Sequence, residues 1–142
     1  MRRVTYMRIT VAMEYGIATI LYVGQESTSS RSGKTRYVTI EEISRACGIS
    51  RNHLNKVVYL LGQSGLLHTF RGRNGGMTLG KPLSAISLGE VIQLFQTEWH
   101  WSEVGSFQRR IQSLLQVPLQ EAQHSSYLVL NQISFADLLK QM

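Results

Sequence analysis

The segment from Thr39 to Gly65 carries two short helical patterns separated by a glycine-containing turn, which restricts the folds open to the chain. Thr39 and Glu42 form a capping-box pattern: the Thr39 hydroxyl accepts from the Glu42 amide, and the Glu42 carboxylate reaches back to the Thr39 amide. A first short helix is therefore expected to start at Ile40 and to stop near Gly48.

A second helix is expected to follow, with Ser50 as its N-cap and its end around Ser64 and Gly65. Its apolar positions recur at helical spacing: Leu54, Val57, Val58 and Leu61. Two helices joined by Cys47, Gly48, Ile49 and Ser50 match the helix-turn-helix unit, whose tight turn commonly needs a glycine.

The opposite face of the second helix lacks carboxylates, and its side chains suit a major groove. Arginine pairs bidentately with guanine and asparagine with adenine, while lysine and tyrosine hold phosphates. The candidate DNA-binding residues of this helix are Ser50, Arg51, Asn52, His53, Asn55, Lys56 and Tyr59.

A hairpin is expected immediately after this unit. Residues 66–71 and 77–79 have the pattern of two short strands, and Asn74-Gly75 between them is a strong hairpin signal, because both residues tolerate positive φ. The tip would present Arg71, Arg73 and Asn74 to the DNA backbone or minor groove. A phosphate-cradling loop is the alternative for Gly72 to Gly76, but the run fits neither a Walker A nor a dinucleotide fingerprint.

The expected fold class is thus mainly α with a small β wing, and the charge distribution agrees with a nucleic-acid partner. The 142 residues carry a formal charge of +6. Residues 1–82 hold 12 Lys/Arg against 4 Asp/Glu, whereas residues 83–142 hold 3 against 5. A basic surface of this kind attracts polyanions, although a merely soluble basic domain is the alternative. No nucleophile elbow, HExxH or paired-carboxylate pattern occurs, so we do not expect an enzyme.

Cys47 is the single cysteine, which excludes an intrachain disulfide and a cysteine metal cage within one chain and favours a cytoplasmic protein. A redox-sensing thiol is the alternative to a small buried side chain at this position. The longest near-apolar run, Gly16 to Gly24, is far shorter than the roughly 20 residues that span a bilayer, so no membrane partner is expected.

Four further segments carry local patterns. Residues 10–22 predict a buried first helix, and residues 24–36 predict a mobile basic loop, interpreted as a solvated insertion rather than a DNA arm. Ser87 and Glu90 form a second capping box before a short helix. Residues 107–117 predict a helix that Pro118 ends or kinks. The tail, residues 127–139, is too apolar for a free end and is expected to pack against its own domain or a partner copy.

The sequence resembles the Rrf-type (BadM/IscR/NsrR) family of winged helix-turn-helix transcriptional regulators, most of all its nitric-oxide-sensing NsrR branch. The resembling stretches are residues 8–10 and 14–17, 43–44, 48–54, 64–66, 71–76, 79–82 and 134–139, in the family's order. The resemblance implies a homodimer on a pseudo-palindromic operator, joined through a long C-terminal helix. The DNA-binding unit is expected to end after the short helix that follows Ser87, which gives a DNA-binding domain, residues 1–96, and linker and dimerisation helices, residues 97–142.

In that family a sensory iron-sulfur cluster is held by three cysteines in NsrR and IscR, and some members work without one. The corresponding positions fall roughly on Trp101, Phe107 and Ser113, so we expect no cluster and no other cofactor. Trp99, Trp101 and Phe107 either line a small-molecule pocket or pack at the dimer interface. His100, between the two tryptophans, is expected to be structural or pocket-lining rather than a metal or haem ligand.

The sequence therefore predicts a cytoplasmic, homodimeric regulator, expected to be a repressor, that binds double-stranded DNA. An alternative is a protein-interaction module on a winged-helix scaffold that no longer reads DNA. Another is a regulator that holds a cluster or a small effector through residues not identified above.

Overall fold

The computed structural model describes residues 8–28, 33, 36–73, 75–96 and 105–142, within which six α-helices, two β-strands and one 3₁₀ turn form. In chain order they are α1 (Val11–Thr28), α2 (Ile40–Cys47), α3 (Arg51–Gln63), β1 (Leu67–Phe70), β2 (Gly76–Leu79), the 3₁₀ turn (Leu83–Ala85), α4 (Leu88–Leu94), α5 (Ser106–Leu130) and α6 (Phe135–Lys140). This order confirms the expected class, mainly α with a small β wing. No helix in these ranges is long and apolar enough to cross a membrane.

The predicted helix-turn-helix forms where its caps placed it. Thr39 Oγ1 accepts from the Glu42 amide at 3.2 Å, and Ser50 Oγ accepts from the His53 amide at 3.3 Å. Gly48 lies between the helices at φ +66°, in the left-handed region that closes a helix with little strain for glycine. The turn thereby sets the direction in which α3 leaves α2.

The return bonds of the two predicted capping boxes do not form. The Glu42 carboxylate accepts from Arg36 at 2.7 Å, and the Glu90 carboxylate accepts from Lys81 at 2.9 Å, instead of reaching back to the caps. Each carboxylate therefore serves an ion pair that links its helix to a neighbouring segment. A charged donor is the stronger partner for a carboxylate than a neutral amide, which accounts for the difference.

The first helix is longer than its periodicity predicted. It runs to Thr28, so the first part of the expected loop, residues 24–28, is helical. Gly24 lies against the 3₁₀ turn, where a Cβ would come within 2.5 Å of Leu83 Cδ1, and the Ser27 hydroxyl donates to the Val23 carbonyl at 2.7 Å. Tertiary packing and local bonding thus extend a helix that its apolar pattern alone would end. Most of the remaining loop lies outside the described residues.

The two strands pair antiparallel and form the predicted hairpin, with Phe70 opposite Gly76 next to the tip. Val38 pairs with β2 as a single-residue bridge, which the sequence pattern did not indicate. Its amide donates to the Met77 carbonyl at 2.9 Å and its carbonyl accepts from the Met77 amide at 2.7 Å. The wing is therefore attached to the segment that leads into α2. Asn74, at the predicted tip, lies outside the described residues.

The sequence analysis expected Pro118 to end or kink the helix. The long helix α5 continues through Pro118, so the first of these two expectations was wrong. Proline's fixed φ is helical, but proline lacks the amide hydrogen for one backbone hydrogen bond and its ring crowds the carbonyl four residues earlier, so the helix depends on the bonds of the turns on both sides. Residues 106–117 and 119–130 supply those turns. No residue of α5 is buried, so nothing in the subunit presses on the helix at the proline.

The apolar tail packs against its own subunit through α6. Phe135 has no exposed surface, and its amide donates to the Ile86 carbonyl at 2.9 Å. The Leu88 amide donates to the Ile133 carbonyl at 2.8 Å, which fastens the end of α5 to the start of α4. Residues at the C-terminus thus complete the hydrophobic core that the first three helices begin.

Phe135→Ala is expected to lower the free energy of unfolding by about 3–5 kcal/mol, because it removes a fully buried aromatic ring and leaves a cavity. Chemical denaturation followed by circular dichroism measures this. Met142→Ala is the control in the same tail, since Met142 is 79% exposed. Equal stabilities of the two variants would contradict the packing described for α6.

Candidate nucleic-acid interface

Burial of one side of α3 leaves its polar side in solvent. Leu54 and Leu61 have no exposed surface, and Val57 and Val58 are 5% exposed. Since a helix turns by 3.6 residues, the intervening positions face away from the core. The exposed candidate residues of this element are Ser50, Arg51, Asn52, His53, Asn55, Lys56 and Tyr59.

One of these candidates has a second contact inside the subunit. The His53 ring lies 5.9 Å from the Tyr15 ring, centroid to centroid, at an interplanar angle of 33°. His53 therefore leans towards α1 at the first turn of α3, and its contact with Tyr15 limits the directions in which its ring can reach.

A cleft of about 630 Å³ separates the second half of α3 from the wing. Three candidates line it together: Asn55 and Tyr59 from α3, and Arg71 from the wing. The other described candidates, which are Ser50, Arg51, Asn52, His53, Lys56 and Arg73, are exposed outside the cleft. The candidate residues thus form two zones, the start of α3 and the cleft beside the wing.

The cleft contains polar residues that the sequence analysis missed. Gln63 Nε2 donates to the Tyr59 hydroxyl at 2.7 Å, and Thr39 and Thr69 also line the cleft. Gln63 lies four residues after Tyr59, so helical spacing alone could have found it. The two threonines come from α2's cap and from β1, and only the tertiary fold brings them to the cleft.

The charge of this surface follows from a long stretch without acidic residues. No aspartate or glutamate occurs between Glu42 and Glu90, whereas six Lys/Arg do. Two of the six are paired with carboxylates at the ends of the stretch: Arg45 with Glu41 at 3.4 Å, and Lys81 with Glu90. Within the described part of the chain the other four form no ion pair, and these are Arg51, Lys56, Arg71 and Arg73. The unpaired cations of the stretch are therefore those of α3 and the wing.

The glycines of the wing allow its tip to turn tightly. Gly72 has φ +116°, and its carbonyl accepts from the Gly75 amide at 2.9 Å, closing a tight tip next to Arg71. A Cβ at Gly75 would lie 2.6 Å from the Phe70 carbonyl oxygen, so a side chain would force the tip open.

Comparison with known proteins decides the family. The model of the Rrf2 family, described as "Iron-dependent Transcriptional regulator", matches residues 9–141. The HTH-type transcriptional regulator NsrR of Bacillus licheniformis is 32% identical over 140 residues, covering 94% of this chain and 92% of the relative. The chain belongs to the Rrf2 family.

Solved structures agree with the Rrf2 fold. IscR of T. potens superposes with a TM-score of 0.69 at 20% identity, covering 95% of this chain and 88% of the other. CymR of B. subtilis, the global cysteine regulator, superposes with a TM-score of 0.68 at 18% identity, covering 96% and 99%. At these identities the likeness concerns the fold.

The iron in the Rrf2 description does not fit the ligands that this chain offers. An iron-sulfur cluster is held by several cysteine thiolates, and the sequence has a single cysteine. Among the described residues no group of three or more His, Cys, Asp or Glu could hold a metal ion. Phe107, one of the positions that the resemblance placed at a cluster ligand, is 71% exposed and carries no donor atom. Trp99, His100 and Trp101 lie outside the described residues.

Cys47 is poorly suited to redox sensing. It is partly buried at the end of α2, and burial raises the pKa of its thiol above the usual value. A raised pKa reduces the fraction of thiolate, which is the reactive form. The arrangement favours a packing role for Cys47.

Proposed function

We propose that this Rrf2 protein is a cytoplasmic repressor that binds a pseudo-palindromic operator as a homodimer, without a cysteine-ligated cluster. The observation that carries the proposal is the set of four unpaired cations on α3 and the wing. Cations whose carboxylate partners are absent remain free to replace the counterions of a phosphate backbone.

The start of α3 fits the major groove. The groove of B-DNA is about 12 Å wide and admits a helix, which commonly presents its first residues to the base edges. Arg51 and Asn52 lie in the first turn of α3 and are exposed. In the proposal they read guanine and adenine, Asn55 extends the reading by one turn, and Lys56 holds a phosphate.

The wing fits the backbone or the adjacent minor groove. Arg71 and Arg73 flank Gly72 at the tip, and both are exposed. The cleft between α3 and the wing is lined by hydroxyl and amide groups and by Arg71, so it offers hydrogen-bond donors to a sugar-phosphate strand. Asn74 remains a proposed contact of the same tip.

The proposed dimer forms through the free apolar side of α5. Seven residues recur in α5 with a spacing pattern that repeats every 11 residues, so they lie on one side of the helix, and all but Ser125 are apolar. They are Phe107, Ile111, Leu114, Pro118, Ala122, Ser125 and Val129. Phe107, Leu114 and Val129 are 71%, 74% and 62% exposed, which is costly in water for neighbouring apolar groups. The spacing keeps the stripe on one side of a nearly straight helix.

The subunit's own contact with α5 lies on another side. The Tyr127 hydroxyl donates to Gln96 Oε1, and Leu130 packs against the core. Helical spacing places these two residues well away from the stripe centred on Leu114 and Pro118. The apolar stripe is thus available for a second copy, and two copies would present two recognition helices with two-fold symmetry.

Arg51→Ala is expected to weaken binding to an operator duplex by roughly 1–3 kcal/mol if Arg51 contacts a base edge. Gel-shift titration measures the change. Arg45→Ala is the matched control, because Arg45 is an exposed arginine of α2 whose removal changes the net charge equally. Equal affinities of the two variants would remove Arg51 from the interface.

Leu114→Glu is expected to weaken self-association at least about 10-fold, because a charge would have to be buried in the proposed dimer interface. Analytical ultracentrifugation measures this, with operator binding assayed in parallel. Gln116→Glu places the same charge on the other side of α5 and should leave the dimer intact. Dimers of undiminished affinity in Leu114→Glu would refute this interface.

A further inference from the structure

Two exposed aromatic rings support the wing: Tyr37, which precedes α2, and Phe70, which also lines the cleft beside α3. The Tyr37 and Phe70 rings lie 4.9 Å apart, centroid to centroid, at an interplanar angle of 68°, which is an edge-to-face pair. Tyr37 is 43% exposed and Phe70 is 48% exposed, so neither ring belongs to the hydrophobic core. Edge-to-face geometry is favourable for aromatic pairs beyond the apolar area that they bury.

The pair forms beside a glycine that leaves room for it. Phe70 is opposite Gly76 in the hairpin, and Val38 is paired with the next residue, Met77. A Cβ at Gly76 would lie 3.0 Å from Tyr37 Cβ and 2.9 Å from the Val38 carbonyl oxygen. The missing side chain at Gly76 therefore allows the segment that contains Tyr37 to lie close against the wing.

The segment that carries Tyr37 is itself held from two sides. Arg36 donates to Glu26 of α1 at 2.8 Å and to Glu42 of α2 at 2.7 Å. The backbone bonds between Val38 and Met77 hold the residue on the other side of Tyr37. Arg36 thus ties the segment of Tyr37 to the body of the protein and Val38 ties it to β2 of the wing, whereas Phe70 ends β1 directly before Arg71.

We propose that Tyr37 is a positioning residue for the wing: through the Phe70 ring it fixes the direction in which Arg71 leaves the hairpin. The last step, from wing position to DNA affinity, rests on the proposed function. The mechanical step does not, because the order of the wing can be measured without DNA. In this arrangement Tyr37 does not contact DNA itself.

The first measurement is hydrogen exchange in the free protein. The Gly75 amide, bonded to the Gly72 carbonyl at 2.9 Å, reports on the tip, and the Gly80 amide, bonded to the Leu66 carbonyl at 2.8 Å, reports on the other end of the hairpin. Tyr37→Ala is expected to speed exchange at Gly75 about 3- to 10-fold and to leave Gly80 unchanged. Tyr37→Phe keeps the ring and should retain the exchange rates of the original chain. Unchanged exchange at Gly75 in Tyr37→Ala would overturn the proposal, and so would equal acceleration at both amides.

The second measurement is a double-mutant cycle on a duplex that the original chain binds. Tyr37→Ala is expected to weaken binding about 3- to 10-fold when Arg71 is present and less than about 2-fold in the Arg71→Ala background. Tyr37→Phe should bind like the original chain. Additive losses would overturn the proposal, since they would mean that Tyr37 acts independently of Arg71. If the original chain binds no duplex, the proposed function fails, while hydrogen exchange still decides whether Tyr37 orders the wing.

Discussion

Burial of the apolar side of α3 is the interaction on which the candidate interface depends. Leu54, Val57, Val58 and Leu61 pack into the core, and each such burial contributes about 1.5–3 kcal/mol relative to exposure. The helix cannot rotate about its axis without exposing these side chains. Its polar side is therefore directed outward, and the cap at Ser50 with the turn at Gly48 fixes where that side begins.

The ion pairs of the domain determine which of its cations remain unpaired. The carboxylates on either side of the long acid-free stretch pair with cations away from α3 and the wing: Glu42 with Arg36, Glu41 with Arg45, and Glu90 with Lys81. These exposed pairs add little to stability. Their consequence is spatial, because they neutralise Arg36, Arg45 and Lys81 and leave the unpaired cations between Glu42 and Glu90 on α3 and the wing.

Features set by neighbouring residues could be predicted from the sequence, and features set by distant contacts could not. Hydroxyl caps at Thr39 and Ser50 and the glycine turn are local, and the structure has the corresponding helices. The hairpin also forms, but the positive φ angles of the wing are at Gly72 and Gly76 and not at Gly75, where the Asn-Gly signal placed one. The extension of α1 depends on Leu83, nearly sixty residues beyond Gly24. The pairing of Val38 with Met77 is likewise long-range.

The candidate site likewise has one part that the sequence predicts and one part that depends on distant contacts. Periodicity correctly placed the polar residues of α3 on the exposed side, whereas the cleft with the wing, including Thr39 and Thr69, depends on the tertiary fold. At Pro118 a local signal misled the sequence analysis, because proline suggested the end of a helix that in fact continues. In α5 the bonds of the turns on both sides of Pro118 are enough for the helix to continue despite the bond lost there.

The most direct measurement is selection of the bound duplexes from a random pool by the full chain. The two α3 helices of the proposed homodimer, related by a two-fold axis, should enrich an inverted repeat whose half-site centres lie about one helical turn, or a multiple of it, apart. Enrichment of a single half-site without its inverted copy, or no enrichment over the starting pool, would contradict a symmetric reader of DNA.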